Sequence, residues 1–218
     1  MIRLAAFDMD GTLTLERSSW DTLFKCYGHD PEPFYRQYAE GRIDQDEWAA
    51  ANLRAMIERR PGLTAAEVER ALVENSHVRA GVEECVSRLT ALGIRCVIIS
   101  AGTAPLADWI GKRAGFHDWR ANWFESDALG RLVPRYVRQV SYLEKEIWLR
   151  SWQRQFGISR EETVAVGDSC NDVGMFLEAG HSIALQPTDE CAAAVAEVVH
   201  EGEDLSECAD LIERWCGR

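Results

Sequence analysis

No stretch of this 218-residue chain approaches the roughly 20 consecutive apolar residues that a membrane-spanning helix needs, so no membrane partner is expected. An excess of positive charge is also missing. The chain has 24 Lys and Arg against 36 Asp and Glu, a formal net charge of -12, which excludes nucleic acid and anionic lipid as main partners. Cysteine occurs seven times, an odd number, but never as C-x-x-C and never in a zinc-like spacing. The five histidines show no ligand spacing. Internal repeats, low-complexity tracts and flexible linkers are absent. What remains is an ordinary globular composition, 46% apolar, long enough for one substantial domain and a smaller insertion.

The most informative segment follows the apolar, strand-like run Ile2 to Phe7: Asp8-Met9-Asp10-Gly11-Thr12-Leu13. Side chains alternate along a strand, so Asp8 and Asp10 start on one side. Two close carboxylates repel unless a cation or a shared proton offsets them. The pair therefore points to metal binding, acid–base work or both. Asp-x-Asp-Gly is also good turn chemistry, and the segment alone leaves both readings open.

Three further segments weigh against a simple turn. Ile94 to Ile99 reads as a buried strand ending in Ser100-Ala101-Gly102, and Thr163 to Val166 as another ending in Gly167-Asp168-Ser169-Cys170-Asn171-Asp172. Between them Lys145 opens a helical stretch with an apolar stripe of Trp148, Leu149, Trp152 and Phe156 that stops at Gly157. Apolar strands alternating with amphipathic helices predict an α/β fold, a doubly wound parallel sheet covered on both faces. The ligand crevice of such a sheet lies beyond the carboxyl ends of its strands, where these polar residues fall. Their shared chemistry is phosphoryl transfer. Asp8, Asp10 and Asp168 are hard oxygen ligands suited to Mg²⁺. Ser100 and the N–H groups of Ala101 and Gly102 can bind phosphate oxygens, and Lys145 offsets negative charge.

With these four segments in this order, the chain resembles the haloacid dehalogenase superfamily. The resemblance implies Asp8 as nucleophile and Asp10 as general acid/base. It implies Mg²⁺ held by Asp8, the Asp10 carbonyl and Asp168, with phosphate held by Ser100, Ala101, Gly102, Lys145 and Asn171. Asp172 would partner Lys145 and reach the metal through water. Going by the resemblance, members that cleave carbon–halogen or carbon–phosphorus bonds lack a carboxylate at the place of Asp10, so its presence favours phosphate esters.

Residues 15–76 interrupt the strand–helix alternation. Trp20, Leu23, Phe24 and Tyr27 have helical spacing, Phe34, Tyr35 and Tyr38 follow Pro31 and Pro33, and a helix is expected over Gln45 to Arg59, stopped by Pro61-Gly62. Thr64-Ala65-Ala66-Glu67 then forms a capping-box pattern. The expected organisation is a catalytic core of residues 1–14 and 77–218 with an all-helical cap of residues 15–76. This placement resembles the phosphoserine-phosphatase-like branch, which implies that the cap reads the substrate. Glu16 and Arg54 are its candidate substrate-binding residues, although Arg17 lies closer to the register of the branch's acidic residue.

The resulting expectation is a cytoplasmic Mg²⁺-dependent phosphatase, monomer or homodimer, that hydrolyses a small phosphorylated metabolite through an aspartyl-phosphate. Phosphoserine is the first candidate. A sugar phosphate, a methionine-salvage enol-phosphate, a phosphotransferase variant and a non-catalytic phosphate-binding relative are the alternatives. Trp20 and Trp48 read as packing residues, with lining of a cleft as the other reading. Cys170 reads as a small loop residue, Cys85 and Cys96 as small core hydrophobes, and His181 as a loop residue. The direct start into a strand carries the expectation that no leader precedes it.

Overall fold

In the computed structural model, which describes residues 1–217, the first strand is β1 (Leu4–Phe7), buried at every position. Four helices follow: α1 (Ser19–Cys26), α2 (Glu32–Ala39), α3 (Gln45–Arg59) and α4 (Ala65–Asn75). Alternation then sets in with α5 (Val82–Ala91), β2 (Arg95–Thr103), α6 (Ala104–Ala114), β3 (Asp118–Ser126) and β4 (Leu132–Val137). The chain continues through α7 (Glu146–Phe156), β5 (Thr163–Gly167), α8 (Val173–Glu178), β6 (His181–Leu185), α9 (Glu190–Val195), β7 (Val198–His200) and α10 (Ser206–Cys216).

The seven strands form one sheet in the order β4-β3-β2-β1-β5-β6-β7, parallel except for β4, which returns antiparallel to β3. This bears out the α/β, doubly wound class. The pleat sorts the core into two layers. Ala5, Phe7, Ile98, Val164 and Val166 belong to one apolar cluster with residues of α5, α6 and α10, while Leu4, Ala6, Val97, Ile99 and Ala165 belong to a second with residues of α7, α8 and α9. Burial on both faces accounts for the near-continuous apolar strands.

The helical segment is specified locally. The Asp44 side chain accepts from Glu47 N at 2.8 Å while Glu47 answers to Asp44 N at 2.9 Å, and α3 then runs over the expected residues. Thr64 and Glu67 form the same reciprocal cap at α4. Leu23, Phe24, Leu53, Met56, Leu63, Val68 and Leu72 join the first sheet-face cluster, so the apolar packing runs unbroken from the sheet into α1, α3 and α4. His181 opens β6 rather than lying in a loop; its ring pairs with Glu197 at 2.7 Å and stacks on Trp215. Among the described residues, no helix is long and apolar enough to cross a membrane.

Candidate active site

Three adjacent parallel strands share one register. Phe7 pairs with Ile98 on β2 and with Val166 on β5, so the residues just beyond them meet at one edge of the sheet. Asp8 extends the pairing by one bond, its N–H donating to Val166 O at 2.9 Å. A cavity of about 430 Å³ opens there, lined at its floor by Asp8, Asp10, Ser100, Ala101, Gly102, Lys145, Asp168 and Asn171.

The loop after Asp8 is tightly wound. The N–H groups of Leu13 and Thr14 converge on Met9 O at 2.8 and 3.0 Å. Gly11 has φ +80°, and a Cβ there would overlap the Asp168 carboxylate. Glycine is needed on both counts. Asp10 turns back toward α1, where its Oδ2 accepts from Ser19 N and Ser19 Oγ, each at 3.0 Å. Its other oxygen is buried without a partner. Burial, opposed by the Ser19 hydrogen bonds, pushes the Asp10 carboxyl up to about 6. A carboxyl in that range can hold a proton at one step and release it at another.

Ser100 lies buried at the end of β2, and its Oγ accepts from Gly102 N at 3.0 Å. A Cβ on Gly102 would overlap Asp10 and Ser19, so only glycine lets β2 approach the Asp10 loop this closely. The Asn122 side chain donates to Ala101 O at 2.8 Å and to Val140 O at 3.0 Å, tying the end of β2 to the chain that leads toward Lys145.

Lys145 precedes α7 and is 2% exposed. Its Nζ donates to Asp8 Oδ1 at 2.6 Å and to Asp172 Oδ1 at 2.8 Å. Burial alone would lower the ammonium's pKa, but Asp172 and Asp8 more than offset it and hold the group above its ordinary value. Asp172 in turn fixes its own loop, Oδ2 accepting from Asp168 N at 3.0 Å and Ser169 N at 3.1 Å. One ammonium faces three carboxylates. Burial and the Asp172 charge push Asp168 up to about 7 against the opposing charges of Lys145 and Arg17. Burial raises Asp8 well above the usual carboxylate range, with Lys145 opposing.

That imbalance tests the site for a cation. Oxygens of Asp8, Asp168 and Asp172 lie within 4.8 Å of one another, and Asp168 Oδ1 is buried without a hydrogen-bond partner. An all-oxygen set with an orphaned carboxylate oxygen fits a hard divalent cation such as Mg²⁺. Asp172 is the least available of the three, its two oxygens being taken by Lys145 and by the loop N–H groups.

The model of one family, the haloacid dehalogenase-like hydrolases, matches residues 5–177. The chain belongs to this family. Similar curated proteins include a phosphoserine phosphatase of Albidiferax ferrireducens, 26% identical over 97% of this chain and 90% of that one. Another is the phosphoserine phosphatase of Methanocaldococcus jannaschii, 25% identical over 97% of this chain and 98% of that one. A solved structure of a phospho-aspartyl intermediate analogue of phosphoserine phosphatase superposes with a TM-score of 0.78 at 25% identity, covering 96% of this chain and 98% of the other. The family and the phosphoserine-phosphatase-like branch expected from the motifs are thereby borne out.

In this hydrolase neither of the two sequence-derived cap residues reaches the cavity. Glu16 accepts from His77 N at 2.7 Å and pairs with the His77 ring at 2.6 Å, clamping the point where the helical segment leaves and rejoins the rest of the chain. Arg54 lies exposed on α3 outside the cavity lining. The upper cavity is lined instead by Arg17, Ser18, Asp21 and an aromatic set that includes both Trp20 and Trp48. Sequence reading also passed over Ser19, Arg79 and Asn122. Buried Arg79 donates to Thr12 O at 2.7 Å and Gly11 O at 2.8 Å, so it grips the loop that follows Asp8.

Cys170 is likewise not a solitary loop residue. It forms a disulfide with Cys191 at a Cα–Cα distance of 5.5 Å, within the usual range. Adjacent strands β5 and β6 deliver the two cysteines side by side from 21 residues apart, a pairing that spacing alone cannot reveal. Cys85 and Cys96 are buried and free, as expected of small core hydrophobes, and so is Cys208. Closing a loop of this length removes enough denatured-state entropy to contribute about 3 kcal/mol. Cys191→Ser should therefore lower the unfolding free energy of the oxidised protein by about that amount. Urea unfolding with and without reductant checks this: wild type under reductant should match the variant.

Proposed function

We propose that this hydrolase is a Mg²⁺-dependent phosphatase that cleaves a small phosphomonoester through an aspartyl-phosphate on Asp8. The observation that carries the reading is the buried Lys145 ammonium bridging Asp8 and Asp172 on the floor of a cavity that also holds Asp10 and Ser100. That arrangement orients one Asp8 oxygen and leaves the other for attack on phosphorus. Ser100, the Ala101 and Gly102 N–H groups and Asn171 bind the phosphate oxygens, and Lys145 offsets their charge. As the bond from Asp8 to phosphorus forms, the ester P–O bond breaks and Asp10 gives its proton to the leaving alkoxide. Asp10 then takes a proton from the water that attacks the aspartyl-phosphate, restoring both carboxylates to their starting state. Asp8, the Asp10 carbonyl and Asp168 would hold Mg²⁺, which when bound would supply positive charge to offset the repulsion between a phosphate dianion and Asp8.

Ser19 is assigned the positioning of Asp10, because both of its donors hold the oxygen opposite the free one. Residues 15–76 are assigned the role of a cap that screens the site from bulk water and reads the alcohol part of the ester. Phosphoserine is the first candidate substrate, supported by the similarity to phosphoserine phosphatases. A monomer or homodimer remains the proposed form; the Cys170–Cys191 disulfide removes the ground for a reducing cytoplasm.

The test is phosphate release from a panel of phosphorylated metabolites, L-phosphoserine among them, with Mg²⁺ and with chelator. Metal-dependent release supports the reading, and release unaffected by chelator overturns it. Asp10→Asn should cost alkyl esters about 10²–10⁴-fold. The loss on p-nitrophenyl phosphate should be much smaller, since that leaving group needs little protonation. Equal losses on both would remove Asp10 from the general-acid role.

A further inference from the structure

Besides the groups at its floor, the cavity lining combines two unlike sets of side chains. One is aromatic: Trp20, Tyr35, Tyr38, Trp48 and Tyr142. It is also braced, the Trp20 ring lying 5.3 Å from Trp48 and 5.2 Å from Phe124 between centroids. The other set is polar and carries the charges of Arg17, Asp21 and Asp189.

These three charges are not in the same position. Asp189 accepts from Cys170 N at 3.2 Å, and Asp21 is offset by the charge of Lys25 along α1. Arg17 has neither a hydrogen bond nor an ion pair among the described residues; it acts on Asp168 only from a distance, through its charge. The other cation of the cavity lining, Lys145, is locked between Asp8 and Asp172. Arg17 is therefore the one cationic group of the lining, among the described residues, whose donors are all unused. A guanidinium presents those donors as a planar fork that fits a carboxylate with two parallel hydrogen bonds.

We propose that Arg17 and the aromatic set select the substrate: the alcohol part of the ester bears a carboxylate, read by Arg17, on a flat apolar body that packs against Trp20 and Trp48. This deepens the phosphatase reading and rests on it. Phosphoserine meets the charge requirement but leaves the aromatic set largely uncovered; a phosphorylated aromatic or branched acid meets both.

Non-hydrolysable phosphonates separate the selectivity from the chemistry. Calorimetry in Mg²⁺ would compare methylphosphonate, benzylphosphonate and (4-carboxybenzyl)phosphonate on the whole chain. The aromatic set is expected to make benzylphosphonate tighter than methylphosphonate. The carboxylate should then add about tenfold, the size of a hydrogen-bonded charge pair. In Arg17→Gln the carboxylate's advantage should fall to a ratio near one, and Arg17→Lys should restore part of it. Arg17→Glu should reverse the preference toward (4-aminomethylbenzyl)phosphonate. Equal affinity for the two benzyl compounds in the wild type, or a ratio unchanged by Arg17→Gln, would overturn the role of Arg17. Methylphosphonate binding as tightly as benzylphosphonate would overturn that of the aromatic set. Selective binding without phosphate release from any ester would instead count against the phosphatase reading and leave the selectivity standing.

Discussion

Asp8→Asn is expected to lower phosphate release by at least about 10⁴-fold, equivalent to roughly 5 kcal/mol of lost transition-state stabilisation. The amide keeps the shape of the side chain but cannot form the acyl phosphate that divides hydrolysis into two steps. Folding should survive the change. Lys145 retains its 2.8 Å bond to Asp172, and a carboxylate that burial disfavours is replaced by a neutral group. The thermal midpoint should therefore stay within a few degrees of wild type, which separates a chemical defect from a folding one. Intact-protein mass after an acid quench gives the second measurement, a phosphate adduct with wild type and none with the variant. Turnover within tenfold of wild type would remove Asp8 from the nucleophile's role.

Lys145→Met should damage both activity and folding. The ammonium is the shared partner of two buried carboxylates. Removing one member of such a buried set leaves uncompensated charge and costs about 3–5 kcal/mol. Loss of a cation beside the reacting phosphate should also lower phosphate release by about 10²–10³-fold. The stability defect carries a pH signature. Asp8 is already raised by burial with Lys145 opposing, so without Lys145 its folded-state pKa rises further above the unfolded value of about 3.9. A raised carboxyl costs folding free energy once pH exceeds the unfolded value, and the cost vanishes when the carboxyl is protonated in both states. The deficit relative to wild type should therefore be largest near pH 8 and shrink toward pH 5. Urea unfolding at the two values checks it; an equal deficit at both would mean that Lys145 stabilises by packing alone.

The parts of this site that could be read from sequence are those written into local pattern. Asp8, Ser100 and Asp168 each terminate an apolar run, and their alignment follows from a parallel sheet whose register brings Phe7 level with Ile98 and Val166. Lys145 is marked by the amphipathic helix it precedes. The limits of α3 are announced by the Asp44 cap and Pro61. The residues that escaped owe their positions to contacts without a local signature. Ser19 reaches Thr103 N across 84 residues and Arg79 reaches Thr12 O across 67. Neither Ser nor Arg advertises such a task in its own neighbourhood. Glu16 and Arg54 fail for a related reason. Which face of α1 to α4 looks into the cavity depends on how the helices fold onto the sheet, and that decision turns Arg17 and Asp21 inward while Glu16 clamps His77.

The place of β1 in the sheet also bears on how the molecule is made. Of the seven strands it is the first to be synthesised, yet it sits in the middle, between β2 and β5. Its second neighbour is not complete until Gly167, some 160 residues later. At translation rates of about 5–20 residues per second, Leu4–Phe7 waits roughly 8 to 30 seconds with one edge unpaired. During that interval Asp8 has neither Lys145 nor Asp172 beside it. A chain that stops short of these groups thus carries Asp8 without its ion-pair partners, and the Asp8–Lys145–Asp172 cluster can assemble only after residues through Asp172 have been synthesised.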